Sequence, residues 1–366
     1  ERGDVVYLNN ASTGPLPQSA VRAAEEWARL RAEPWRISEA MEFGTLRSVR
    51  ERVARLVGAT PGEIALTTNT GHGINLAARA LPLAAGDVVV TSDLEFPANV
   101  YPWQALERAR GVRTRLVPTR DRLPDEDALV AALDEPRVKA LAVSWVSFAT
   151  GYTVDLARLG RACRERGVYF VVDAIQGVGA RTLSLAELDV DLLACGGQKW
   201  LLSPWGTGFV YVREPLVREL EPTPVGWMAV KGSEDFTRLT DYALDWHDDA
   251  RRFEMVTLPY QDFAAMDASL ALFEQLGPAR IEAHVRALAD RIVDWARERS
   301  DVRLVTPADP ARRAGIVAVA ARDPRAASVR LTSAGVVHSL REGAIRLSPH
   351  CYNTPEEMGR VLELMA

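Results

Sequence analysis

Tyr169-Phe170-Val171-Val172-Asp173 and Asp191-Leu192-Leu193-Ala194-Cys195 are the stretches of this sequence that decide its fold. Both are short and almost free of polar alternation, as is typical of parallel strands that helices cover on both faces. The first ends at an acidic residue, and the second continues into Gly196-Gly197-Gln198-Lys199. Because ligands of such sheets collect outside the carboxyl ends of the strands, Asp173 and Lys199 are expected at the same edge.

Short strands and helices alternate on both sides of these stretches. Further strands are predicted at residues 64–67, 87–90, 112–117, 140–146 and 208–212. Arg113 and Arg115 share one face of their strand, which predicts a position near the sheet edge. Residues 221–262 are loop-like, and the helical patterns and short strands after them indicate a smaller α/β domain with a boundary near residue 260.

Composition excludes several classes of protein. Of the 366 residues, 48% are hydrophobic and 25% charged, so the chain buries enough apolar surface to fold. A net charge of -5 and a pI of about 5.7 argue against nucleic acid or an anionic membrane as partners. Three separated cysteines, no signal peptide and no membrane span predict a cytoplasmic protein. Glu1 is not a natural start, so a removed leader stays open, and the five histidines have no metal-binding spacing.

Lysine is rare in this chain, which draws attention to each one. Of the 44 basic residues, only Lys139, Lys199 and Lys231 are lysines. Lysine and arginine serve almost equally on a solvated surface, but only the lysine amine readily loses its proton. We therefore interpret Lys199 as a functional residue, with an ordinary lysine in a surface loop as the simpler alternative.

Four features together describe a site for an aldehyde cofactor. Such a cofactor requires an amine for a Schiff base, an acid beneath its ring nitrogen, an anion cradle for its phosphate and a flat side chain over the ring. The chain offers Lys199, Asp173, a helix start at residues 70–73 and Phe96. Each feature alone is weak, because Asp173 also suits a helix cap or an ion pair, and many helix starts bind no ligand.

The sequence resembles the class V aminotransferase family of fold-type I pyridoxal-phosphate (PLP) enzymes. That family includes cysteine desulfurases, kynureninases and isopenicillin-epimerase-like proteins. The matching motifs lie within residues 7–12, 95–103, 172–177, 196–201, 252–254 and 345–354. They cover nearly the whole chain in the family's order, which makes the resemblance specific.

The resemblance implies a fold and an assembly. The fold would be α/β, with a large PLP-binding domain at residues 17–260 that holds a mostly parallel seven-stranded sheet between helices. A smaller C-terminal α/β domain would span residues 261–366, and an N-terminal arm at residues 1–16 would pack with it. The enzyme would be a homodimer with active sites at the interface, and it would act on a small-molecule amino substrate.

The family's functional residues carry over onto matching positions. Lys199 would bind PLP as a Schiff base and act as general base at the substrate Cα, while Asp173 would pair with the pyridine nitrogen. Arg346 would bind the substrate carboxylate. The other implied cofactor contacts are Thr70, Gly71, His72, Phe96, Thr150, Gln176, Gln198 and Thr257, the last lent by the partner subunit. The other expected substrate contacts are Asn10, Ser12 and His338, which lies in a loop predicted to face the site.

Three departures from the family pattern limit what it implies. Many relatives have Ser-Gly-His-Lys where this chain has Gly196-Gly197-Gln198-Lys199, so a serine contact to phosphate is missing. Phe148 stands where many relatives have an asparagine. The loop at residues 337–343 lacks the catalytic cysteine of a cysteine desulfurase, and Cys195 and Cys351 are predicted to be core residues. Persulfide chemistry on a protein thiol is therefore disfavoured.

These observations predict a PLP-dependent enzyme, with transamination as the first choice. A C–S (β-elimination) lyase without a catalytic cysteine and an amino-acid epimerase are the alternatives, because the same carbanion can react in each way. A catalytically silent PLP-fold binding protein is the non-enzyme alternative. A nicotinamide oxidoreductase is a further alternative, but the chain has no strand–GxGxxG–helix unit to support it.

Overall fold

The large sheet sets the position of every candidate residue. The computed structural model describes residues 5–255 and 257–365. Its thirteen strands are β1 Val6–Tyr7, β2 Ile64–Thr67, β3 Val88–Ser92, β4 Arg113–Val117, β5 Val138–Ser144, β6 Tyr169–Asp173, β7 Leu192–Gly196, β8 Gly208–Val212, β9 Val302–Leu304, β10 Val317–Ala321, β11 Val336–Val337, β12 Ser339–Arg341 and β13 Ala344–Leu347. The α-helices are α1 Gln18–Ala32, α2 Glu39–Val57, α3 Thr70–Ala80, α4 Tyr101–Arg110, α5 Glu126–Ala132, α6 Leu156–Arg166, α7 Glu214–Glu219, α8 Tyr260–Leu276, α9 Pro278–Arg297, α10 Pro324–Ser333 and α11 Pro355–Met365.

Seven strands form the central sheet in the order β2-β8-β7-β6-β5-β3-β4. Strand β8 is antiparallel to both of its neighbours, and the other pairs are parallel. This confirms the predicted mostly parallel seven-stranded sheet. Strand β4 lies at one edge, as the shared face of Arg113 and Arg115 predicted.

Both faces of this sheet are buried by helices. In β6, Phe170 and Val172 pack in an apolar cluster with α2, α6 and α8, while Val171 between them packs in a second cluster with α3 and α4. Successive strand residues point to opposite faces, so a strand buried on both faces is apolar at every position. That requirement explains the unbroken apolar runs in the sequence.

A second, antiparallel sheet of four strands has the order β12-β13-β10-β9. Strand β1 pairs in parallel with β11, through Val6 with Val336 and Tyr7 with Val337. Val6 and Leu8 also share an apolar cluster with residues of α9, β10 and β13. The start of the described chain therefore packs on its C-terminal part, while the predicted domain boundaries at residues 17 and 260 stay predictions.

Helix α3 is fixed tightly against the sheet beside β7. Asn69 caps it, because the Asn69 Oδ1 accepts a hydrogen bond of 2.8 Å from the His72 amide. A Cβ at Gly73 would lie 2.5 Å from Val210 Cγ2 and 2.7 Å from Ala194 Cβ, so only glycine allows this approach. The amino end of α3 is thereby held next to the end of β7.

No helix within residues 5–255 and 257–365 combines the length and the apolar character that crossing a membrane requires.

Candidate active site

Asp173 and the end of β7 lie side by side at the carboxyl edge of the large sheet. Asp173 is the last residue of β6, and its register partner in β7 is Ala194. The carboxylate is buried, and its Oδ1 accepts a hydrogen bond of 3.0 Å from the Ile175 amide. Burial raises the pKa of Asp173 to about 6, so the group is still ionised at neutral pH.

Lys199 lies in the same crevice, three residues beyond β7. The pKa of its amine is lowered to about 8, chiefly by burial; the Asp173 carboxylate opposes this change, and the Arg346 guanidinium adds to it. The Nζ lies 5.6 Å from the centre of the Phe96 ring. The structure therefore brings Lys199, Asp173 and Phe96 together, as the sequence predicted.

The amino end of α3 and the turn after β7 form a cradle for an anion. The Thr70 hydroxyl accepts a hydrogen bond of 2.8 Å from the Gly196 amide. The first turn of a helix presents amide groups and a positive dipole end, both of which suit a phosphate. Two buried polar atoms here, His72 Nε2 and Gln198 Oε1, have no hydrogen-bond partner within the described residues. A phosphate with these neighbours fits the cradle, since a Gln198 amide turned about its last bond would donate to it.

Gln176 connects the N-terminal segment to the crevice. Its Nε2 donates to the Ala11 carbonyl at 3.0 Å, and its Oε1 accepts from the Trp200 indole at 2.8 Å. The Oε1 and one of the two Nε2 hydrogens of this buried amide are hydrogen-bonded, so one N–H is left for a further acceptor. Contact with the ring hydroxyl of a cofactor stays a prediction.

Arg346 is a buried cation in strand β13, and its hydrogen-bond partners are neutral groups. Its Nη1 donates to the Phe148 carbonyl at 2.8 Å, and its Nη2 donates to Ser12 Oγ at 2.8 Å and Ser339 Oγ at 3.1 Å. No carboxylate within residues 5–255 and 257–365 forms an ion pair with it, and burial lowers its pKa to about 10. A buried charge without a counterion is costly, which suits a site that awaits an anionic ligand.

Glu95 is a residue of the site for which the sequence indicated no role. It holds the turn that carries Phe96, because its carboxylate accepts hydrogen bonds from the Ser144 amide at 2.9 Å, from the Ser144 hydroxyl and from Asn99 Nδ2 at 3.0 Å. Ser144 ends β5 and is the register partner of Asp173. Burial, together with the nearby Asp173 charge, raises the pKa of Glu95 to about 7. The sequence does carry a signal for this role, because Glu95 directly precedes Phe96, the residue expected to stack on the cofactor ring.

His338 does not face this group, contrary to the expectation from its loop. Its Nε2 lies 2.8 Å from Ser328 Oγ on α10, and its Nδ1 lies 3.1 Å from the Val336 carbonyl. The next residue, Ser339, takes the inward position and contacts Arg346. A one-residue difference in a strand reverses the direction of the side chain, which accounts for the error.

Three other predicted residues have structural contacts, and their binding roles stay predictions. The buried Asn10 accepts a hydrogen bond of 3.0 Å from the Tyr352 hydroxyl, and its Nδ2 has no partner within the described chain. The Thr150 hydroxyl accepts from the Tyr152 amide at 3.2 Å. Thr257 is exposed, and its hydroxyl accepts from Trp227 Nε1 at 3.1 Å.

The cysteines are unsuited to nucleophilic chemistry. Cys163 and Cys195 are buried, Cys351 is half-buried, and none forms a disulfide. Burial raises the pKa of Cys163 and Cys195 far above the usual range of a thiol and that of Cys351 to about 11. A thiol with a raised pKa is a poor nucleophile at neutral pH. No cluster of three or more His, Cys, Asp or Glu side chains that could bind a metal occurs in the described part of the chain.

Comparison with known proteins agrees with this geometry. The family model for "Aminotransferase class-V" matches residues 6–361. The chain is 32% identical to isopenicillin N epimerase of Streptomyces clavuligerus, over 99% of this chain and 94% of that protein. It is also 32% identical to a probable cysteine desulfurase of Methanothermobacter thermautotrophicus, over 99% and 95% of the two chains.

Solved structures have the same fold. The apo cysteine desulfurase of Thermococcus onnurineus NA1 superposes with a TM-score of 0.87 at 26% identity, over 99% of this chain and 94% of that chain. The cystine C–S lyase C-DES, in complex with its product cysteine persulfide, gives 0.90 at 23% identity, over 99% and 97%. The second likeness shows the fold alone. With a lysine, an acid and an anion cradle in one crevice, the chain belongs to the class V aminotransferase family of fold-type I enzymes, which depend on pyridoxal 5′-phosphate.

Proposed function

We propose that this chain is a PLP-dependent aminotransferase that acts on a small α-amino acid. The observation that carries the proposal is Arg346, a buried guanidinium whose present partners are all neutral. A planar guanidinium binds a carboxylate through two parallel hydrogen bonds. An α-carboxylate held there would bring the amino group of the substrate towards Lys199, whose pKa Arg346 helps to lower.

The residues that would hold PLP have distinct tasks. The cofactor supplies an electron sink that stabilises negative charge at the substrate Cα. Lys199 Nζ would attach it covalently, and the Asp173 carboxylate would keep its ring nitrogen protonated. The amino end of α3, with Thr70 and Gln198, would hold its phosphate. Phe96 would lie against the cofactor ring, since this residue is 44% exposed and Lys199 Nζ lies over its ring at 5.6 Å.

Lys199 would also carry the proton of the reaction. A free Lys199 amine with a pKa of about 8 would accept and release a proton near neutral pH. In transamination, Nζ would remove the proton from the substrate Cα and deliver it to a carbon of the cofactor. No protein thiol takes part, which agrees with the raised pKa values of all three cysteines.

A C–S lyase is the second candidate, favoured by the same absence of a reactive thiol. Loss of a β-substituent from the substrate needs Lys199 and Asp173 but no cysteine nucleophile. A variant with Cys163, Cys195 and Cys351 all changed to alanine would keep its turnover in either case. A cysteine desulfurase that forms a persulfide on one of these cysteines would lose it.

The visible spectrum of the protein reconstituted with PLP tests these alternatives. Single amino acids are added without any 2-oxo acid, and the Lys199→Ala variant is the control that lacks the band of covalently bound cofactor. One bleaching event with one equivalent of 2-oxo acid supports the aminotransferase. Continuing release of ammonia and a β-substituent supports the lyase, and racemisation without either product indicates an epimerase. A protein that binds no PLP contradicts the proposal.

A homodimer forms part of the proposal. Thr257 is exposed, and the nearby Trp227, Leu239, Tyr242 and Leu244 expose large apolar side chains. Exposed apolar groups of this number in one region are typical of an interface with another protein. Light scattering coupled to size-exclusion chromatography would give a mass near twice 40.2 kDa, and a monomer with full activity would contradict this part.

A further inference from the structure

Two aromatic side chains form one wall of the site. The ring centres of Phe96 and Phe148 are 5.2 Å apart, with their planes at 75°, which is the favourable edge-to-face arrangement. Phe148 is also tied to the substrate end of the site, because its backbone carbonyl accepts the 2.8 Å hydrogen bond from Arg346 Nη1. Phe96 is tied to the amine end, with its ring 5.6 Å from Lys199 Nζ.

This wall therefore joins the two groups that an amino acid would have to contact. Under the proposed function, Arg346 takes the carboxylate and Lys199 meets the amino group. The Cα between those two groups would lie alongside the aromatic pair, and so would the first atoms of the substrate side chain. With Phe96 lying against the cofactor under the proposed function, the half-buried ring of Phe148 packed on it offers apolar surface there and no hydrogen-bonding group.

We propose that Phe148, supported by its edge-to-face contact with Phe96, forms an apolar subsite that selects α-amino acids with apolar side chains. The inference rests on the proposed function, since it uses Arg346 and Lys199 as the two fixed points of the substrate. A polar side chain against these rings would lose its hydrogen bonds to water without gaining new ones, which costs more than the loss of apolar contact alone. The exposed Arg341 lies close enough to lower the pKa values of both Lys199 and Arg346. Its positive charge would attract an acidic substrate side chain, which is therefore the alternative to an apolar one.

Four amino acids test the subsite on the PLP-reconstituted full chain. Leucine and asparagine have nearly the same shape, so their comparison isolates polarity; alanine and aspartate report on size and charge. The measurement is the second-order rate constant of the first spectral change after mixing. We expect leucine to react at least about tenfold faster than asparagine, the usual discrimination of an apolar pocket. Equal rates for leucine and asparagine, or a fastest rate with aspartate, would overturn the proposal of an apolar subsite.

Variants at residue 148 test the ring of Phe148 separately from its backbone carbonyl, which contacts Arg346. Phe148→Asn keeps the carbonyl that Arg346 contacts but adds a polar side chain, and it should reduce the leucine-to-asparagine rate ratio about tenfold. Phe148→Leu keeps an apolar side chain and should hold the ratio within about threefold. An unchanged leucine-to-asparagine rate ratio in Phe148→Asn would overturn the proposal. If that variant does not fold, the same ratio in the wild type still tests whether the subsite is apolar. If no amino acid changes the spectrum of the wild type, the proposed function itself fails and the subsite with it, whereas equal rates remove the subsite alone.

Discussion

The Gly196 amide donates a hydrogen bond of 2.8 Å to the Thr70 hydroxyl, which joins the end of β7 to the first residue of α3. Lys199 follows Gly196 by three residues. The amine and the anion-binding end of the helix are therefore held by one connected piece of backbone. A change at residue 196 is therefore expected to alter both the position of the Lys199 amine and the binding of an anion at α3.

Gly196→Ser should weaken PLP binding because Gln198 occupies the space that a serine side chain needs. A Cβ at residue 196 would lie 2.4 Å from Gln198 Oε1 and 3.3 Å from Thr70 Oγ1. The end of the flexible Gln198 side chain would move aside and lose its contact with the phosphate. A hydrogen bond to a charged group contributes about 1.5–3 kcal/mol, so we expect a Kd for PLP at least about tenfold higher. The double variant with Gln198→His restores the Ser-Gly-His-Lys pattern and should recover affinity to within about threefold of the wild type. A single variant with unchanged affinity would show that Gln198 does not occupy this space when PLP is bound.

The rate at which Lys199 captures PLP should rise with pH around a midpoint near 8. Only the unprotonated amine attacks an aldehyde, and burial lowers the pKa of Lys199 from 10.5 to about 8. Growth of the visible band after mixing apoprotein with PLP, measured from pH 6.5 to 9.5, gives the midpoint. Arg346→Gln removes a positive charge that lowers this pKa and should move the midpoint upwards. A wild-type rate that still rises steeply at pH 9.5 would contradict a pKa of about 8 for Lys199.

Glu95 should make the apoprotein less stable as the pH rises from 5 to 7.5. Its pKa is raised from 4.5 in the unfolded chain to about 7 in the folded protein, so the folded state binds the extra proton between those values. Stability is then lost with increasing pH across this window. Glu95→Gln removes the effect, and the free energy of unfolding of that variant relative to the wild type should increase by about 1–2 kcal/mol between pH 5 and 7.5.

Urea unfolding at the two pH values measures this difference. Ser144→Ala is the companion variant: it keeps the Glu95 carboxylate but removes the hydroxyl hydrogen bond that lowers the pKa of Glu95, so it should keep the loss of stability and extend it to higher pH. A Glu95→Gln variant that follows the wild type in parallel at both pH values would show that Glu95 is not protonated in this range.

Local patterns were sufficient to predict the parts of the site that lie on the central sheet. Asp173 and Lys199 follow unbroken apolar runs, and the helix that begins at Thr70 is capped by the residue before it. Strand direction then places all three at one edge, because parallel strands share their carboxyl ends. Burial on both faces is visible in sequence because it removes polar residues from every position.

Contacts between distant segments could not be predicted in this way. Arg346 reaches the Phe148 carbonyl, a partner 198 residues away, and Glu95 reaches Ser144 across 49 residues. Such contacts depend on how two elements pack, and residue spacing carries no record of that. The error at His338 has the same origin, because Ser339, its neighbour, is the register partner of Arg346 in the small sheet.

Arg346→Gln should weaken the binding of α-amino acids at least about 100-fold while leaving the affinity for PLP nearly unchanged. Hydrogen bonds to a charged group contribute about 1.5–3 kcal/mol each, and two of them would be lost. Arg346→Lys should recover little, because a single ammonium cannot form the paired hydrogen bonds of a guanidinium. Spectral titration of the PLP-reconstituted variants with an amino acid gives the Kd, and the matching amine without a carboxylate is the control that both proteins should bind alike. If Arg346→Gln instead loses PLP and amino acid together, the hydrogen bonds of Arg346 to Phe148, Ser12 and Ser339 serve to hold the fold, and its role at the carboxylate is wrong.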